Sequence, residues 1–278
     1  MVESYSKWES SGTLIAKLSY YILRKVKRRM LLPFYRGFYR IILRFPKRVE
    51  CPCCGWRGRN FISYRGRKNE VCPQCQSMQR HRFLYMLLKR IFTKHELPSR
   101  SKPRALRQFA TNPKILHVAP EFLSIGKFLK NKAKDGYLSI DIYLGIAMKV
   151  MDIRNLAGIA DDSFDLVFAC AVLEHVKEEE KALNEIKRVL KPNNGIAILY
   201  VPVNKAIKET YEFTEKQIEQ DINHHVREYG LDFFERLKKC GFVVDAVSGL
   251  AFSNEERLLF GFRRGQCAAV CSKVGHNQ

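Results

Sequence analysis

Cys51-Pro-Cys53-Cys54-Gly55 and Cys72-Pro-Gln-Cys75 set two Cys-x-x-Cys knuckles 17 residues apart. Each knuckle, Cys51 with Cys54 and Cys72 with Cys75, can present two thiolates to one ion. Together they complete the closed tetrahedral sulfur shell that structural zinc prefers. With no coordination position left for water, such a site stabilises rather than catalyses. A redox pair is the competing reading of one knuckle, and two at this spacing favour zinc. Cys53 is a spare thiol, and His81 is not needed as a ligand once four thiolates are in place. Gly55 suits a tight knuckle turn, Phe61-Ile62-Ser63-Tyr64 reads as a short strand, and Arg57, Arg59, Arg65, Arg67 and Lys68 make this module basic enough to dock an acidic partner.

A second set of residues has the chemistry for proton transfer. Segment 204–229 carries Tyr211, His224, His225, Arg227 and Tyr229, and a connection of that length covers a pocket. His225 is the preferred base because histidine titrates near neutrality; Tyr229, His175 and Glu174 are the other candidates. His225 has an equally good alternative reading as a positioning residue or a helix cap. Two acids, Asp141 and Asp152, each follow a short apolar run. Taken singly they read as well as helix caps or loop acids.

The elements that must position these groups fall into regions of different charge. The chain has 278 residues, 46% of them hydrophobic, with 49 Lys plus Arg against 28 Asp plus Glu. That composition excludes a collagen-like or wholly disordered chain. The excess charge is +10 over 1–49, +11 over 50–112 and zero over 113–278. Four regions follow: a basic amphipathic helical arm (1–49), a zinc ribbon with its following helix (50–97), a linker (98–112) and an α/β domain (113–278).

In the arm, Leu14, Leu18, Ile22, Val26 and Met30 draw one apolar stripe, opposite Lys17, Arg24, Lys25, Lys27 and Arg28. Phe34, Phe38, Ile41, Ile42 and Phe45 repeat the pattern beside Arg36, Arg40 and Arg44. Such helices lie in the headgroup region of an anionic membrane surface. Packing on the protein's own body and gripping RNA phosphates are the alternatives. Lys17, Arg36, Arg40 and Arg44 interrupt every stretch near the roughly 18 apolar residues that a spanning helix needs, and the first residues lack a signal-peptide pattern. The expected location is cytoplasmic, with the arm as a peripheral contact at the inner face of the membrane.

From residue 113, strands near 115–119, 137–141, 149–152, 164–170, 195–203, 242–247 and 268–272 alternate with helices near 122–132, 178–190 and 231–240. This is an α/β pattern with a parallel sheet between two helical layers. In such sheets the ligand sits beyond the carboxyl ends of the strands, where strand order reverses.

Lys114-Ile-Leu-His-Val-Ala-Pro-Glu121, Tyr-Leu-Ser-Ile-Asp141, Met-Asp152-Ile-Arg-Asn-Leu, and Asp162-Ser-Phe-Asp165-Leu-Val-Phe-Ala-Cys-Ala-Val-Leu-Glu174-His175-Val resemble a class I S-adenosylmethionine-dependent methyltransferase of the type 11-like kind. Ala182-Leu-Asn-Glu-Ile-Lys-Arg-Val-Leu-Lys-Pro192 and Val201-Pro202-Val203 extend the match. The knuckles followed by Arg80-His81-Arg82, and a late His225-Val-Arg-x-Tyr229-Gly230, resemble a bacterial subgroup often associated with glycan biosynthesis. The resemblance implies a Rossmann-like seven-stranded sheet, preceded here by a small zinc-ribbon module and an N-terminal amphipathic segment.

S-adenosyl-L-methionine is the implied cofactor, and structural Zn2+ is expected at the cysteines. By the same resemblance Asp141 accepts the ribose hydroxyls, Asp152 with the Ile153 amide takes the adenine, and the Cys170 carbonyl takes the methionine ammonium. Glu174 and His175 belong to a motif that more often supports the cofactor pocket than moves protons. One departure stands out: the family's first loop runs acidic residue, x, Gly, x, Gly, x, Gly, and here His117, Ala119, Glu121 and Leu123 hold those places. Ala119 adds only a methyl, and Glu121 at a helix start can address the ligand's ammonium.

Three functions follow. The preferred one is methyl transfer to a hydroxyl or amine of a glycan or lipid-linked saccharide near the membrane. An RNA methyltransferase that uses the basic ribbon for backbone binding is second, and a noncatalytic adaptor that retains the fold is third.

Overall fold

The computed structural model describes residues 48–93, 109, 111–121 and 124–273. The amphipathic arm up to residue 47, and the expected linker apart from residues 109, 111 and 112, lie outside the described residues. Among the described residues no helix is long and apolar enough to cross a membrane.

The cysteine segment forms two small antiparallel ribbons, β1 (Val49–Glu50) with β2 (Arg57–Gly58) and β3 (Ile62–Tyr64) with β4 (Arg67–Val71). Helix α1 (Gln79–Thr93) follows the second knuckle directly. Then come β5 (Ile115–Val118), α2 (Ser124–Ala133), β6 (Tyr137–Asp141), β7 (Lys149–Val150), β8 (Leu166–Cys170), α3 (Glu179–Val189) and β9 (Ile196–Tyr200). A two-residue hairpin of β10 (Tyr211–Glu212) and β11 (Arg227–Glu228) encloses α4 (Glu215–Gln220). The chain ends with α5 (Phe233–Lys239), β12 (Phe242–Ser248), α6 (Asn254–Phe260) and β13 (Cys267–Lys273).

The main sheet has the order β12-β13-β9-β8-β5-β6-β7. β9, β8, β5, β6 and β7 run parallel, and β13 is antiparallel to both of its neighbours. The chain builds outward from β5 through β6 to β7, then returns to place β8 and β9 on the other side. Strand order therefore reverses between β5 and β8. The central strands can sit there because every residue of Ile115–Val118 and Leu166–Cys170 is buried and all but His117 are apolar.

Successive residues of β8 serve opposite faces. Leu166, Phe168 and Cys170 join one core with Ile115, Ile196 and Ile198; Val167 and Ala169 join the other with Leu116, Leu199, α3 (Leu183, Ile186, Val189) and α5 (Phe233, Leu237). The first face is covered by α2 (Ile125, Leu129) and by α1, whose Phe83, Leu84, Leu87, Leu88 and Ile91 are buried in it. The helix that begins at the cysteine module is thus a wall of the sheet's own core.

The ribbons keep a separate small cluster of Val49, Trp56 and Phe61 around Cys51 and Cys72. This cluster docks where α6 ends. Gly261 closes α6 in the left-handed conformation (φ 60°), and a Cβ there would come within 2.5 Å of the Phe61 ring. Only glycine suits both the backbone and the close approach. Arg90 of α1 grips Glu256 of α6 with two bonds, at 2.8 and 2.7 Å.

Candidate functional site

Two knuckle turns bring the four cysteines together. Gly55 N–H bonds Cys51 O and Gln76 N–H bonds Cys72 O, the turn that each Cys-x-x-Cys step needs. The Cys51, Cys54, Cys72 and Cys75 sulfurs all lie within 4.8 Å of one another, with Cys51–Cys75 at 3.6 Å and Cys54–Cys72 at 3.8 Å. A tetrahedron with zinc–sulfur bonds of about 2.3 Å has edges of about 3.8 Å, whereas a disulfide needs about 2.0 Å. The geometry fits a tetrahedral metal and no disulfide. Ser77 Oγ stands 3.2 Å from both Cys51 and Cys75 Sγ, an outer contact of the kind that orients metal ligands. Cys53 is not one of these four sulfurs; it lies against the cluster, interacting with Cys51, and stands 3.9 Å from the His81 carbonyl.

At the strand reversal, β5 and β8 both leave the sheet through a left-handed alanine, Ala119 (φ 47°) and Ala171 (φ 56°). A Cβ in that region costs about 1–2 kcal/mol. The turns are held by Ala119 N–H on Ile140 O and Ala171 N–H on Tyr200 O, both at 2.8 Å. Ala119 thus adopts a backbone conformation that glycine takes without strain.

Glu121 then meets α1, its Oε1 lying 2.7 Å from His81 Nε2. Burial works against its charge, yet His81 and Arg80 hold the carboxyl below its ordinary range. A cleft of about 380 Å3 opens beside this loop, lined by Pro120, Glu121, Lys127, Tyr137, Ser139 and Met148 among others.

Asp141 ends β6, 9% exposed, and Oδ1 accepts the Tyr143 N–H at 2.9 Å. Ile142, Leu144 and Met148 just after it are exposed apolar side chains. Asp152, beyond β7, accepts the Arg154 N–H (2.8 Å) and is gripped by the Arg154 guanidinium, which holds its carboxyl below the usual range. Ile153 beside it is buried. The loops that carry Ala119, Glu121, Asp141, Asp152 and Cys170 all lie at the carboxyl ends of the parallel strands.

Two expected site residues lie in the core instead. His117 is 1% exposed, its Nδ1 2.9 Å from the Tyr137 hydroxyl, and burial lowers its pKa to about 4, so the ring is neutral at physiological pH. Tyr229 is fully buried, and its hydroxyl donates to Glu179 Oε1 at 2.7 Å. Burial, followed by the Glu179 carboxylate, raises its pKa. Tyr229 thereby joins α3 to the β11 segment.

Glu174, His175 and His225 do converge, each offering a ligand atom within 4.8 Å of the others, a set able to hold a divalent cation. The two histidine rings are 4.8 Å apart, and His225 Nδ1 lies 3.1 Å from Asp221 Oδ2. Arg227, 3% exposed, ties the two stretches together by donating to the carbonyls of Leu173, Val176 and Lys177 and to Glu212. Val226 N–H adds a bond to Glu174 O at 2.8 Å. Asp221 and Arg227 act through their neighbours, which the sequence alone does not reveal.

Burial pushes the Glu174 carboxyl up to about 7, and its Oε2 has no hydrogen-bond partner among the described residues. An acid with a raised folded-state pKa keeps a proton that the unfolded chain has lost. Stability therefore falls as pH rises from about 4.5 to about 7 and levels off above, by roughly 3 kcal/mol in all. Glu174→Gln is expected to stabilise the protein at pH 8 by about 1–3 kcal/mol and to remove this slope. Urea titrations at pH 5 and pH 8 measure both; an unchanged slope in the variant contradicts it.

Residues 105–199, which contain β5 through β9, match a family described as a methyltransferase domain. No curated protein matches the chain. Among solved structures, the chain is similar to one in the complex between the Haloferax volcanii Trm112 methyltransferase activator and a methyltransferase (14% identity, 68% of this chain and 91% of that one, TM-score 0.40). It is also similar to the Burkholderia thailandensis 1,6-didemethyltoxoflavin-N1-methyltransferase with bound S-adenosylhomocysteine (11%, 58% and 71%, TM-score 0.40). A third is the PH0226 protein of Pyrococcus horikoshii (19%, 58% and 82%, TM-score 0.39). The strand order and the family match define the sheet as a Rossmann-like class I methyltransferase fold.

Proposed function

We propose that the chain transfers a methyl group from S-adenosylmethionine to a hydroxyl or amine, with a structural zinc in the four-cysteine module. The observation that supports this most is the set of acids and left-handed turns at the carboxyl ends of β5, β6 and β8, on a sheet of this strand order. The residues present fit the donor. Asp141 ends the second strand, where a carboxylate can accept hydroxyl hydrogens. The exposed Ile142, Leu144 and Met148 offer a surface that a flat ring would cover, and Glu121 carries negative charge where an ammonium would lie.

The donor supplies an electrophilic methyl on a sulfonium. What remains for the chain is to align an acceptor, exclude water and take a proton. The His175–His225 pair borders Glu174, just past the end of β8, so it stands beside the proposed donor pocket. Asp221 orients His225 as a base. Segment 211–228, stapled by Arg227, forms the cover. A glycan or lipid-linked saccharide near an anionic membrane is the acceptor class supported by the amphipathic arm and by the sequence resemblance.

Isothermal titration with S-adenosylmethionine tests the proposal. The wild type is expected to bind, and Asp141→Ala to bind about 30- to 100-fold more weakly, the loss of two hydrogen bonds to a charged acceptor. Absence of binding by the wild type, or unchanged affinity in the variant, counts against it.

A further inference from the structure

We propose that Arg80, carried on the helix that grows out of the cysteine module, is the carboxylate anchor of the donor pocket, so that the module supplies a wall of the binding site. This rests on the methyltransferase reading above and adds a residue from outside the family match, which begins at residue 105.

Arg80, His81 and Arg82 open α1 immediately after the second knuckle. Consecutive helical residues point about 100° apart, so Arg80 and Arg82 face nearly opposite ways with His81 between them. Arg82 turns into the module, bonding carbonyls of Asn69, Glu70 and Ser77. His81 reaches Glu121 of the first loop. Arg80 lies at the ends of the strands: its side chain meets that of Cys170, and Glu121, Tyr200 and Glu174 are near enough to act on its charge. These come from the carboxyl ends of β5, β8 and β9, which is the crevice where strand order reverses.

Of the buried polar atoms at this crevice that make no hydrogen bond among the described residues, His81 Nε2 is paired with the Glu121 carboxylate at 2.7 Å, which leaves Arg80 Nε and Glu174 Oε2. Buried unpaired groups are costly, so an arrangement that keeps both of them points to a ligand that satisfies them. One is cationic and the other is an acid. An α-amino-acid zwitterion meets that pair, its carboxylate on the guanidinium and its ammonium toward Glu174 and Glu121. His81, Glu121 and Cys170 also offer ligand atoms within 4.8 Å of one another. The neighbouring guanidinium makes that corner unfavourable for a metal cation and favourable for an anion. Arginine matches a carboxylate with two parallel N–H donors, which lysine does not.

The test separates the carboxylate from the rest of the donor. Binding of S-adenosylmethionine and of decarboxylated S-adenosylmethionine, which lacks only that group, is measured by calorimetry on the full chain and on Arg80→Met. The wild type is expected to prefer the intact donor by about 10- to 100-fold, the worth of a charge-assisted bidentate contact. In Arg80→Met that preference should vanish while affinity for the decarboxylated donor stays within a few fold. Arg80→Lys, which keeps the charge and shields against a folding defect, should retain only part of the preference. A full preference in Arg80→Met, or an equal loss for both donors in both variants, overturns the assignment of Arg80 and leaves the methyltransferase reading standing. Failure of the wild type to bind either donor overturns both.

Discussion

Replacing Arg82 by methionine is expected to destabilise the protein by about 3–5 kcal/mol, the range seen when one member of a buried charged network is removed. The side chain is fully buried. All five of its N–H donors are engaged: Nε on Phe260 O (2.7 Å), one terminal nitrogen on Glu70 O (3.1 Å) and Ser77 O (2.7 Å), the other on Asn69 O (2.9 Å) and Gly261 O (2.8 Å). Its guanidinium also stacks 3.8 Å from the Phe61 ring centroid. Five carbonyls from two distant stretches converge on one planar fork; with methionine, Ser77 O keeps the Cys72 N–H and Asn69 O keeps Gln79 Nε2, while the Glu70, Phe260 and Gly261 oxygens lose the Arg82 donor, at about 1 kcal/mol or more each. Lysine is expected to rescue poorly, because three donors on a single nitrogen cannot reach five acceptors set around a plane. Urea unfolding of wild type, Arg82→Met and Arg82→Lys measures this. A loss below about 1 kcal/mol in the methionine variant would mean that water takes over the carbonyls and that the module docks by other contacts.

That arginine also shows where the sequence is legible and where it is not. The sheet could be read from apolar runs because β5 and β8 are buried on both faces, so every residue but His117 is apolar and the ends show as sharp changes of composition. Asp141 could be placed at the end of β6 for the same reason. The two cysteine knuckles were legible because tetrahedral coordination fixes their spacing. Residue type, however, does not give direction. His117 and Tyr229 have the chemistry of site residues, but His117 occupies a strand position that faces α2, and Tyr229 a position where its hydroxyl meets Glu179.

The place of α1 was hidden for a different reason. Its sequence follows the knuckles without a break and is followed by Pro- and Ser-containing residues, so it reads as part of the module. Its contacts are nonlocal: Phe83, Leu87 and Leu88 pack with Ile115 and Phe168 of the sheet. The short hairpin of β10 and β11 carries no periodic signal in two-residue strands. α4 and α6 were not among the expected helices, although each begins at a capping box, Thr214-x-x-Gln217 and Ser253-x-x-Glu256, that a sequence pattern can carry. Among the site residues, the basic triplet 80–82 at the start of an otherwise apolar helix was the available clue. Arginines at the edge of a core must be paired, and the partners of Arg82 are backbone carbonyls, which leave no trace in a sequence.

With zinc in the four-cysteine module as proposed, its loss is expected to have the largest effect of all. The ribbons hold only a small apolar cluster around Val49, Trp56 and Phe61, too little to fold a segment of this length unaided, since domains below about 40 residues generally need a metal, disulfides or a partner. A structural zinc supplies on the order of 10–16 kcal/mol of apparent folding energy in comparable peptides. The four sulfurs lie within 4.8 Å of one another, and like charges that close repel, so four thiolates ionise together only around a cation. Chelation, or Cys72→Ser, is therefore expected to release one zinc per chain and to unfold residues 48–78 as a unit. Because Ser77 touches Cys51 and Cys75 and also accepts from Arg82, the disturbance reaches the first turn of α1. Donor affinity should fall with it, through Arg80 and His81, even though no cysteine of the module lies in the donor crevice. Cys53→Ser is the matched control, since Cys53 is not among the four sulfurs that lie within 4.8 Å of one another and serine keeps a polar group beside Cys51; metal content, protease resistance of the ribbons and donor affinity should all stay as in the wild type. Metal analysis, limited proteolysis and calorimetry on the three proteins separate the steps. Unchanged donor binding after verified zinc release and unfolding of the ribbons would show that α1 holds its position through the sheet core alone, and would confine the metal's role to the module itself.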